Sequence, residues 1–176
     1  YKSDQIINFF KTGSDRGVSI SYTIENKRMG TAGALLLDKD KLTDDLIVIN
    51  GDIITNIDFR KLIDFHLEKE SNFTIATNKH SVTVPFGVID SSDGVFNSIV
   101  EKPTYENETS AGIYVINKKC LDIIPEDVTY DMPEFMMDTL KITRKIMVFP
   151  INEFWSDVGT IEDCLLYTSD AADDLL

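Results

Sequence analysis

The chain has 176 residues and a mass of 19.9 kDa, and its 43% apolar and 27% charged residues are typical of one globular domain. Thirty acidic residues against seventeen basic ones give a net charge of −13, which excludes charge-driven binding to nucleic acid. Its apolar runs are far shorter than the roughly 20 residues of a membrane span. The two cysteines lack metal-ligand spacing and are too few for a disulfide framework, which indicates a protein of the reducing cytoplasm.

The first half of the chain predicts alternating helices and strands. Apolar residues between positions 6 and 10 indicate a helix that Ser3 or Asp4 caps, and residues 18–24 alternate in polarity as a strand does. Residues 30–42 open with glycines and continue with helix formers. Residues 45–50 contain a continuous apolar run, which predicts a central strand buried on both faces.

The second half continues this alternation and adds a hairpin. Amphipathic spacing predicts a helix over residues 58–70, and a strand follows at 73–77. Two short strands, 87–90 and 95–100, flank a turn at 91–94. Further strands are predicted at 111–116 and 146–149 and a helix at 132–140. The pattern predicts an α/β domain with one mixed sheet covered by helices.

The two ends of the sequence look unlike a natural domain. The chain starts at Tyr1 in mid-element, with neither an initiating Met nor a signal peptide. Residues 164–173 resemble the conceptual translation of a sequencing adaptor, although a short acidic helix is the alternative interpretation. We therefore expect a partial domain over residues 1–163 and a non-native tail over 164–176.

One short motif, Gly30-Thr31-Ala32-Gly33, lies between a predicted strand and a predicted helix. Glycines allow a ligand to approach the backbone, and free amides at a helix N-terminus attract a phosphate or the acceptor edge of a base. A purely structural turn is the alternative.

Acidic and basic residues near predicted strand ends form the other candidates. Asp52 follows the most apolar strand, where ligands of open α/β sheets bind, and its carboxylate suits Mg²⁺. Asp157, two residues after Trp155, would complete a metal pair with Asp52. Glu101 can accept hydrogen bonds from ligand hydroxyls, and Lys102 supplies a compact charge for a phosphate. Helix or turn caps and a solvated ion pair are the alternatives.

Six motifs in order resemble those of the nucleotidyltransferases that make nucleotide sugars, above all the mannose-1-phosphate guanylyltransferase-like branch. These motifs are Gly30-Thr-Ala-Gly33, Val48-Ile-Asn-Gly-Asp52, Val84-Pro-Phe-Gly-Val88, Glu101-Lys-Pro103, Ser110-Ala-Gly-Ile-Tyr114 and Phe154-Trp-Ser-Asp-Val-Gly159. The resemblance covers about residues 1–163.

The resemblance implies a Rossmann-like three-layer α/β/α fold with a mixed, mainly parallel sheet. It implies attack by a sugar 1-phosphate on the α-phosphorus of a nucleoside triphosphate, with Mg²⁺ as cofactor and pyrophosphate as product. The catalytic residues would be Asp52, Lys102 and Asp157, and Mg²⁺ would be held by Asp52 and Asp157. The base would meet Gly30, Thr31, Ala32 and Gly33, and the sugar phosphate would meet Gly87, Glu101, Lys102 and Gly112.

One departure from the family pattern bears on activity. Members begin with a strand and a glycine-rich loop carrying an Arg and a Lys that embrace the triphosphate, and nothing before Tyr1 supplies it. With that first strand missing, we expect this fragment to be inactive alone.

Two other functions and several specificities stay open. A non-catalytic regulatory or nucleotide-sugar-binding subunit would have no need of Asp52, Lys102 and Asp157 together. A glycosyltransferase would favour an Asp-x-Asp pair, and Asn50-Gly51-Asp52 supplies a single acid. The glycine motif favours GTP, while cytidylyl, uridylyl and thymidylyl transfer stay open. The resemblance implies a mannose-like sugar or an amino sugar, as in relatives that serve bacterial surface glycan pathways. The expected binding partners are then the nucleoside triphosphate and the sugar 1-phosphate, and neither nucleic acid nor a membrane is expected. Assembly into a homo-oligomer is left open.

Overall fold

Two parts of the chain form separate compact units in the computed structural model, which describes residues 2–159. The first unit combines residues 2–46 with 117–144, and the second combines residues 47–116 with 145–159. The expected tail, residues 164–176, lies outside the described residues.

Helices and strands alternate along the described chain. The α-helices are α1 (Ser3–Phe10), α2 (Gly30–Gly33), α3 (Phe59–Glu68) and α4 (Met132–Ile142), and short 3₁₀ helices cover Ser14–Arg16, Ala34–Lys41 and Lys118–Ile123. The strands are β1 (Asp45–Ile49), β2 (Ile53–Thr55), β3 (Phe73–Thr83), β4 (Gly87–Ser92), β5 (Val95–Glu101), β6 (Thr104–Asn117), β7 (Ile146–Pro150) and β8 (Trp155–Asp157).

The first unit is built around α4. A proline in the first turn and a capping box between Asp131 and Glu134 start this helix, because they satisfy or remove amides that the helix leaves unpaired. Phe135 is fully buried, together with Ala32 and Leu121 from other parts of the unit. The expected helix over residues 30–42 is one α-turn followed by a 3₁₀ helix with a kink at Asp38.

The strand predicted at residues 18–24 is wrong. This segment is irregular, and the amides of Val18 and Ile20 donate to the carbonyls of Gly13 and Thr12 instead of to a neighbouring strand. Alternating polarity alone does not make a strand when its backbone groups bond locally. The helix before it forms as predicted, but its cap position is Lys2, without a side-chain cap.

The second unit contains a mixed four-stranded sheet in the order β1-β6-β3-β7. Strand β3 pairs antiparallel with β6 and parallel with β7, and α3 begins where the Asp58 carboxylate accepts two backbone amides. The core consists of Ile57, Leu62, Ala76, Ala111, Ile113, Val115 and Ile151. The mixed α/β architecture expected from the sequence is therefore confirmed.

The position predicted for β1 is wrong among the described residues. Strand β1 stands at an edge of the four-stranded sheet, and Ile47 and Ile49 are 39% and 44% exposed. An apolar run shows that a strand prefers burial, but sheet order depends on which strands are available to pair with it.

Two small ladders complete this unit. Strands β4 and β5 form the predicted hairpin, and β2 pairs antiparallel with β8, which was not predicted. Within residues 2–159, no helix is long and apolar enough to cross a bilayer.

Candidate functional site

The ladder between β2 and β8 brings the two predicted metal ligands to the same place. Ile53, which follows Asp52, stands opposite Asp157, and the Val158 amide donates to the Asp52 carbonyl at 2.9 Å. Residues more than a hundred positions apart thus become neighbours through backbone pairing. The sequence placed both acids just past strands, whereas Asp157 is the last residue of β8.

The carboxylates of Asp52 and Asp157 approach a common point beside Gly159. A Cβ atom on Gly159 would lie 3.1 Å from Asp157 Oδ1 and 3.7 Å from Asp52 Oδ2. The Gly159 amide donates to Asp157 Oδ1 at 2.9 Å, and the Asp52 carboxylate accepts no hydrogen bond from residues 2–159. Both side chains are exposed.

This donor set suits a hard divalent cation. Mg²⁺ binds through one or two carboxylates and completes its coordination with water and substrate phosphates. The part of the chain that the structure describes contains no group of three or more His, Cys, Asp or Glu side chains that could hold a metal. The Asp52 and Asp157 carboxylates therefore fit a cation that takes its other ligands from water and substrate phosphates.

A distortion in β6 supports the backbone leading to Asp52. The register with β3 shifts by two residues around Gly112, which has φ +69°. The Asn50 amide donates to the Gly112 carbonyl at 2.9 Å, and a Cβ atom on Gly112 would lie 2.7 Å from Asn50 Nδ2. Gly112 is buried, and the side chain that lies against it is that of Asn50. The Trp155 indole donates to the Ala111 carbonyl at 2.8 Å and anchors β8 to the same region.

The hairpin brings together three of the residues expected to bind the sugar phosphate. Gly87 and Glu101 are cross-strand partners, and a Cβ atom on Gly87 would lie 2.9 Å from Glu101 Oε2. Lys102 follows with φ +46°, and its amide donates to the Phe86 carbonyl at 3.2 Å. Its exposed ammonium forms no ion pair within residues 2–159. The end of the hairpin thus carries a carboxylate and a cation on consecutive residues.

The Gly30–Gly33 turn in the first unit differs from the expectation of free amides. The amides of Ala32 and Gly33 both donate to the Tyr130 carbonyl at 3.0 Å, and the Thr31 amide donates to Asp131 Oδ1 at 2.9 Å. The expectation that the backbone amides of this turn are free to bind a ligand is therefore wrong for these three residues. All three amides are hydrogen-bonded within the chain itself.

Accessibility divides the same turn into two parts. Ala32 and Gly33 are buried, Gly30 is half-buried and Thr31 is exposed. The Gly30 amide makes no hydrogen bond within residues 2–159. The surface that this turn offers therefore consists of Gly30 and Thr31.

The sequence did not predict several residues that contact the expected site residues and support them. Asn50 and Gly159 lie inside motifs that were recognised, but their contacts depend on pairing between distant strands. Tyr130 and Asp131 stand before the predicted helix at 132–140, and the helix-start pattern Asp131, Pro133, Glu134 was a readable signal. That pattern indicates a cap and carries no information about Thr31, a hundred residues earlier.

Burial changes the acid–base behaviour of two residues in the first unit. Burial, followed by the hydrogen bond at 2.6 Å to the Asp138 carboxylate, raises the pKa of Tyr130. Burial, followed by the charges of Asp122 and Asp45, raises the pKa of the Cys120 thiol from 9.0 to about 11. Both side chains are therefore neutral at physiological pH.

With this geometry in view, comparison with known proteins identifies the class. The Nucleotidyl transferase family model matches residues 1–174, and the chain belongs to this family. The resemblance drawn from the six motifs is confirmed.

Among curated relatives, a protein of Oryza sativa subsp. japonica assigned as mannose-1-phosphate guanylyltransferase 3 is 31% identical over 172 residues. The alignment covers 93% of this chain and 47% of the relative. The chain thus spans about half the length of this relative.

Solved structures share the fold. HddC from Yersinia pseudotuberculosis, also solved in complex with GMP-PN, is 27% identical with a TM-score of 0.69, covering 97% of this chain and 75% of that chain. A Bacillus anthracis protein assigned as a glucose-1-phosphate thymidylyltransferase and solved with sucrose reaches a TM-score of 0.73 at 23% identity, covering 97% and 72%. The second likeness shows the fold alone.

Proposed function

We propose that the protein transfers a nucleotidyl group from a nucleoside triphosphate, GTP, to a mannose-like or amino-sugar 1-phosphate. An oxygen of the sugar phosphate attacks the α-phosphorus, the bond between the α-phosphorus and the bridging oxygen breaks, and pyrophosphate leaves with that oxygen. The observation that carries the proposal is the convergence of Asp52 and Asp157 beside Gly159 in a nucleotidyl transferase family chain.

Asp52 and Asp157 would hold the divalent cation, Mg²⁺. When bound, this ion neutralises phosphate charge and stabilises the charge that develops during transfer. The fit rests on the donor chemistry described above, in particular on an Asp52 carboxylate without a protein partner within residues 2–159.

The hairpin residues would bind the sugar 1-phosphate. The Glu101 carboxylate accepts hydrogen bonds from sugar hydroxyls, and the Lys102 ammonium attracts the phosphate. Gly87, which lacks a side chain, lets the Glu101 carboxylate lie against the backbone of the neighbouring strand, and Gly112 contributes through its contact with Asn50. The protein needs no nucleophile of its own, because the substrate phosphate attacks and the protein orients it.

The turn Gly30, Thr31, Ala32 and Gly33 would form the base site. Its exposed part can donate one amide, from Gly30, and use the Thr31 hydroxyl, while Ala32 and Gly33 support it from within. Guanine is favoured by the name of the rice relative and by the complex of HddC with GMP-PN.

The proposed setting is the cytoplasm, and the proposed role of the product is in surface glycan synthesis. Nucleic acid and membranes are not among the proposed partners, which agrees with the net charge of −13.

The test is pyrophosphate release by the complete gene product with GTP, UTP, CTP and dTTP, each combined with mannose 1-phosphate and with glucosamine 1-phosphate. We expect Mg²⁺-dependent release with GTP and one sugar phosphate. Release with another triphosphate would overturn the guanine assignment. Silence across the panel, or transfer of sugar from a nucleotide sugar, would overturn the reaction class.

A further inference from the structure

We propose that Asp131 is a positioning residue for nucleotide recognition, which holds the exposed part of the Gly30–Gly33 turn in its binding conformation. This inference rests on the proposed function of that turn. It concerns a residue outside the six family-like motifs, and it assigns Asp131 no contact with substrate.

The first argument is the set of bonds around Thr31. Asp131 Oδ1 accepts the Thr31 amide at 2.9 Å and the Thr31 hydroxyl at 3.4 Å. The Met132 amide donates to the Thr31 hydroxyl oxygen at 2.8 Å. Donor and acceptor directions of the hydroxyl are therefore both set by the segment that begins at Asp131.

The second argument is the absence of a side chain at Gly30. Its φ of +78° is a conformation that favours glycine. A Cβ atom here would lie 2.5 Å from the Tyr130 carbonyl oxygen and 2.7 Å from Asp131 Oδ1. The turn thus packs directly against the carboxylate, and movement of that carboxylate changes the space around Gly30.

The third argument is the rigidity of the support. Asp131 stands at the N-cap of α4, and the Glu134 carboxylate accepts its amide at 3.1 Å. Met132 and Phe135, in the first turn of the same helix, are 3% and 0% exposed. A carboxylate at the N-cap of a helix that two buried side chains anchor can impose its geometry on an exposed turn.

Because three of the four amides in the turn are already used, the Gly30 amide remains as a donor toward a base, and the Thr31 hydroxyl oxygen remains as an acceptor. Their directions both depend on Asp131. Loss of this carboxylate should therefore weaken nucleotide binding and leave sugar phosphate binding unchanged.

The experiment compares Asp131→Ala and Asp131→Asn with Asp58→Ala in the complete gene product. Asp58 caps α3 by accepting the amides of Arg60 and Lys61, so its loss removes a similar cap away from the turn. Hydrogen exchange of the Thr31 amide is measured first, without ligand. Dissociation constants for GTP and mannose 1-phosphate are measured next, together with thermal melting.

We expect Asp131→Ala to accelerate Thr31 exchange and to weaken GTP binding about tenfold, without changing mannose 1-phosphate binding. Asp131→Asn should restore both properties, because an amide oxygen accepts the same bonds. Asp58→Ala should lower the melting temperature to a similar extent and change neither property.

Unchanged Thr31 exchange in Asp131→Ala would overturn the inference, as would equal weakening of both ligands. A wild-type protein that binds no triphosphate, with Thr31 exchange still controlled by Asp131, would refute the proposed function and restrict Asp131 to a structural role.

Discussion

The two candidate binding regions differ in how the chain treats its own polar groups. In the Gly30–Gly33 turn, three backbone amides are bonded to Tyr130 and Asp131. Beside Gly159, the Asp52 carboxylate accepts nothing from the described residues, and Asp157 accepts one amide. The first region is satisfied internally, whereas the second carries charge that the protein does not neutralise locally.

This difference separates stability from function. A polar group bonded within the fold contributes to stability, so its removal destabilises the protein. A charge left open contributes little to folding and is available to a ligand. Substitutions in the turn should therefore change stability and binding together, and substitutions of the carboxylate pair should change activity alone.

The sharpest test is Asp52→Asn or Asp157→Asn. Either change removes a negatively charged metal ligand. It should raise the activation free energy by several kcal/mol, so that turnover falls about a thousandfold. The free energy of unfolding should stay within about 0.5 kcal/mol of wild type. Asp52 has no hydrogen-bond partner to lose among residues 2–159, and the amide oxygen in Asp157→Asn can still accept the Gly159 amide. Pyrophosphate release and urea unfolding measure the two quantities.

The matched control is Asp64→Asn, at an exposed site on α3. It should change neither the turnover nor the free energy of unfolding. Near-normal turnover in Asp52→Asn would refute the metal-binding role of Asp52 and remove the contrast.

Gly112→Ala tests the backbone that supports the carboxylate pair. A left-handed φ and a Cβ position 2.7 Å from Asn50 Nδ2 should together cost about 2 to 4 kcal/mol of unfolding free energy. Gly51→Ala is the control, because a Cβ atom there meets nothing within 4 Å. Equal stability of the two variants in urea would show that the region around Gly112 is loosely packed.

Lys102→Met addresses the hairpin. Loss of a charged hydrogen bond should raise the KM for the sugar 1-phosphate about tenfold and leave that for the triphosphate unchanged. Steady-state kinetics with each substrate varied separately measure this split, and Lys119→Met supplies an exposed control. If both KM values rise equally, Lys102 has been assigned to the wrong substrate.

The last prediction concerns Cys120, in the same unit as the Gly30–Gly33 turn. Burial raises its pKa from 9.0 to about 11, so folding favours the protonated thiol. This contribution to stability is complete below pH 9 and is lost as the pH rises through 11. In a Cys164→Ser background, the unfolding free energy should fall between pH 9 and 11 more steeply with Cys120 than with Cys120→Ala. Identical slopes would contradict the raised pKa.

Local pattern was sufficient for much of the fold. The helices α3 and α4, the β4–β5 hairpin and the strand at 146–149 follow from amphipathic spacing, caps and turn residues, and the structure contains each of them. The segment at 18–24 has the same kind of pattern and is no strand, because its amides bond to residues 12 and 13. Local periodicity reports a preference, and pairing decides the outcome.

The candidate site was predicted to a different extent in its two regions. Asp52 and Asp157 could be proposed as a pair from their motifs, whereas Asn50 as the partner of Gly112 could not. The amides of the Gly30–Gly33 turn were expected to be free, and no local signal showed that Tyr130 and Asp131 bind them.

By itself, the sequence determined the element types over most of the described chain, the acidic charge, and the order of motifs that marks a nucleotidyl transferase. Tertiary structure alone decided that Asp157 stands across from Ile53, that β1 lies at a sheet edge among the described residues, and that Asp131 bonds to Thr31. The physical reason is the separation along the chain of the residues that interact. Helix caps, turns and polarity patterns depend on residues a few positions apart, whereas register, sheet order and bonds across a hundred residues depend on which backbone groups remain unpaired when the units pack.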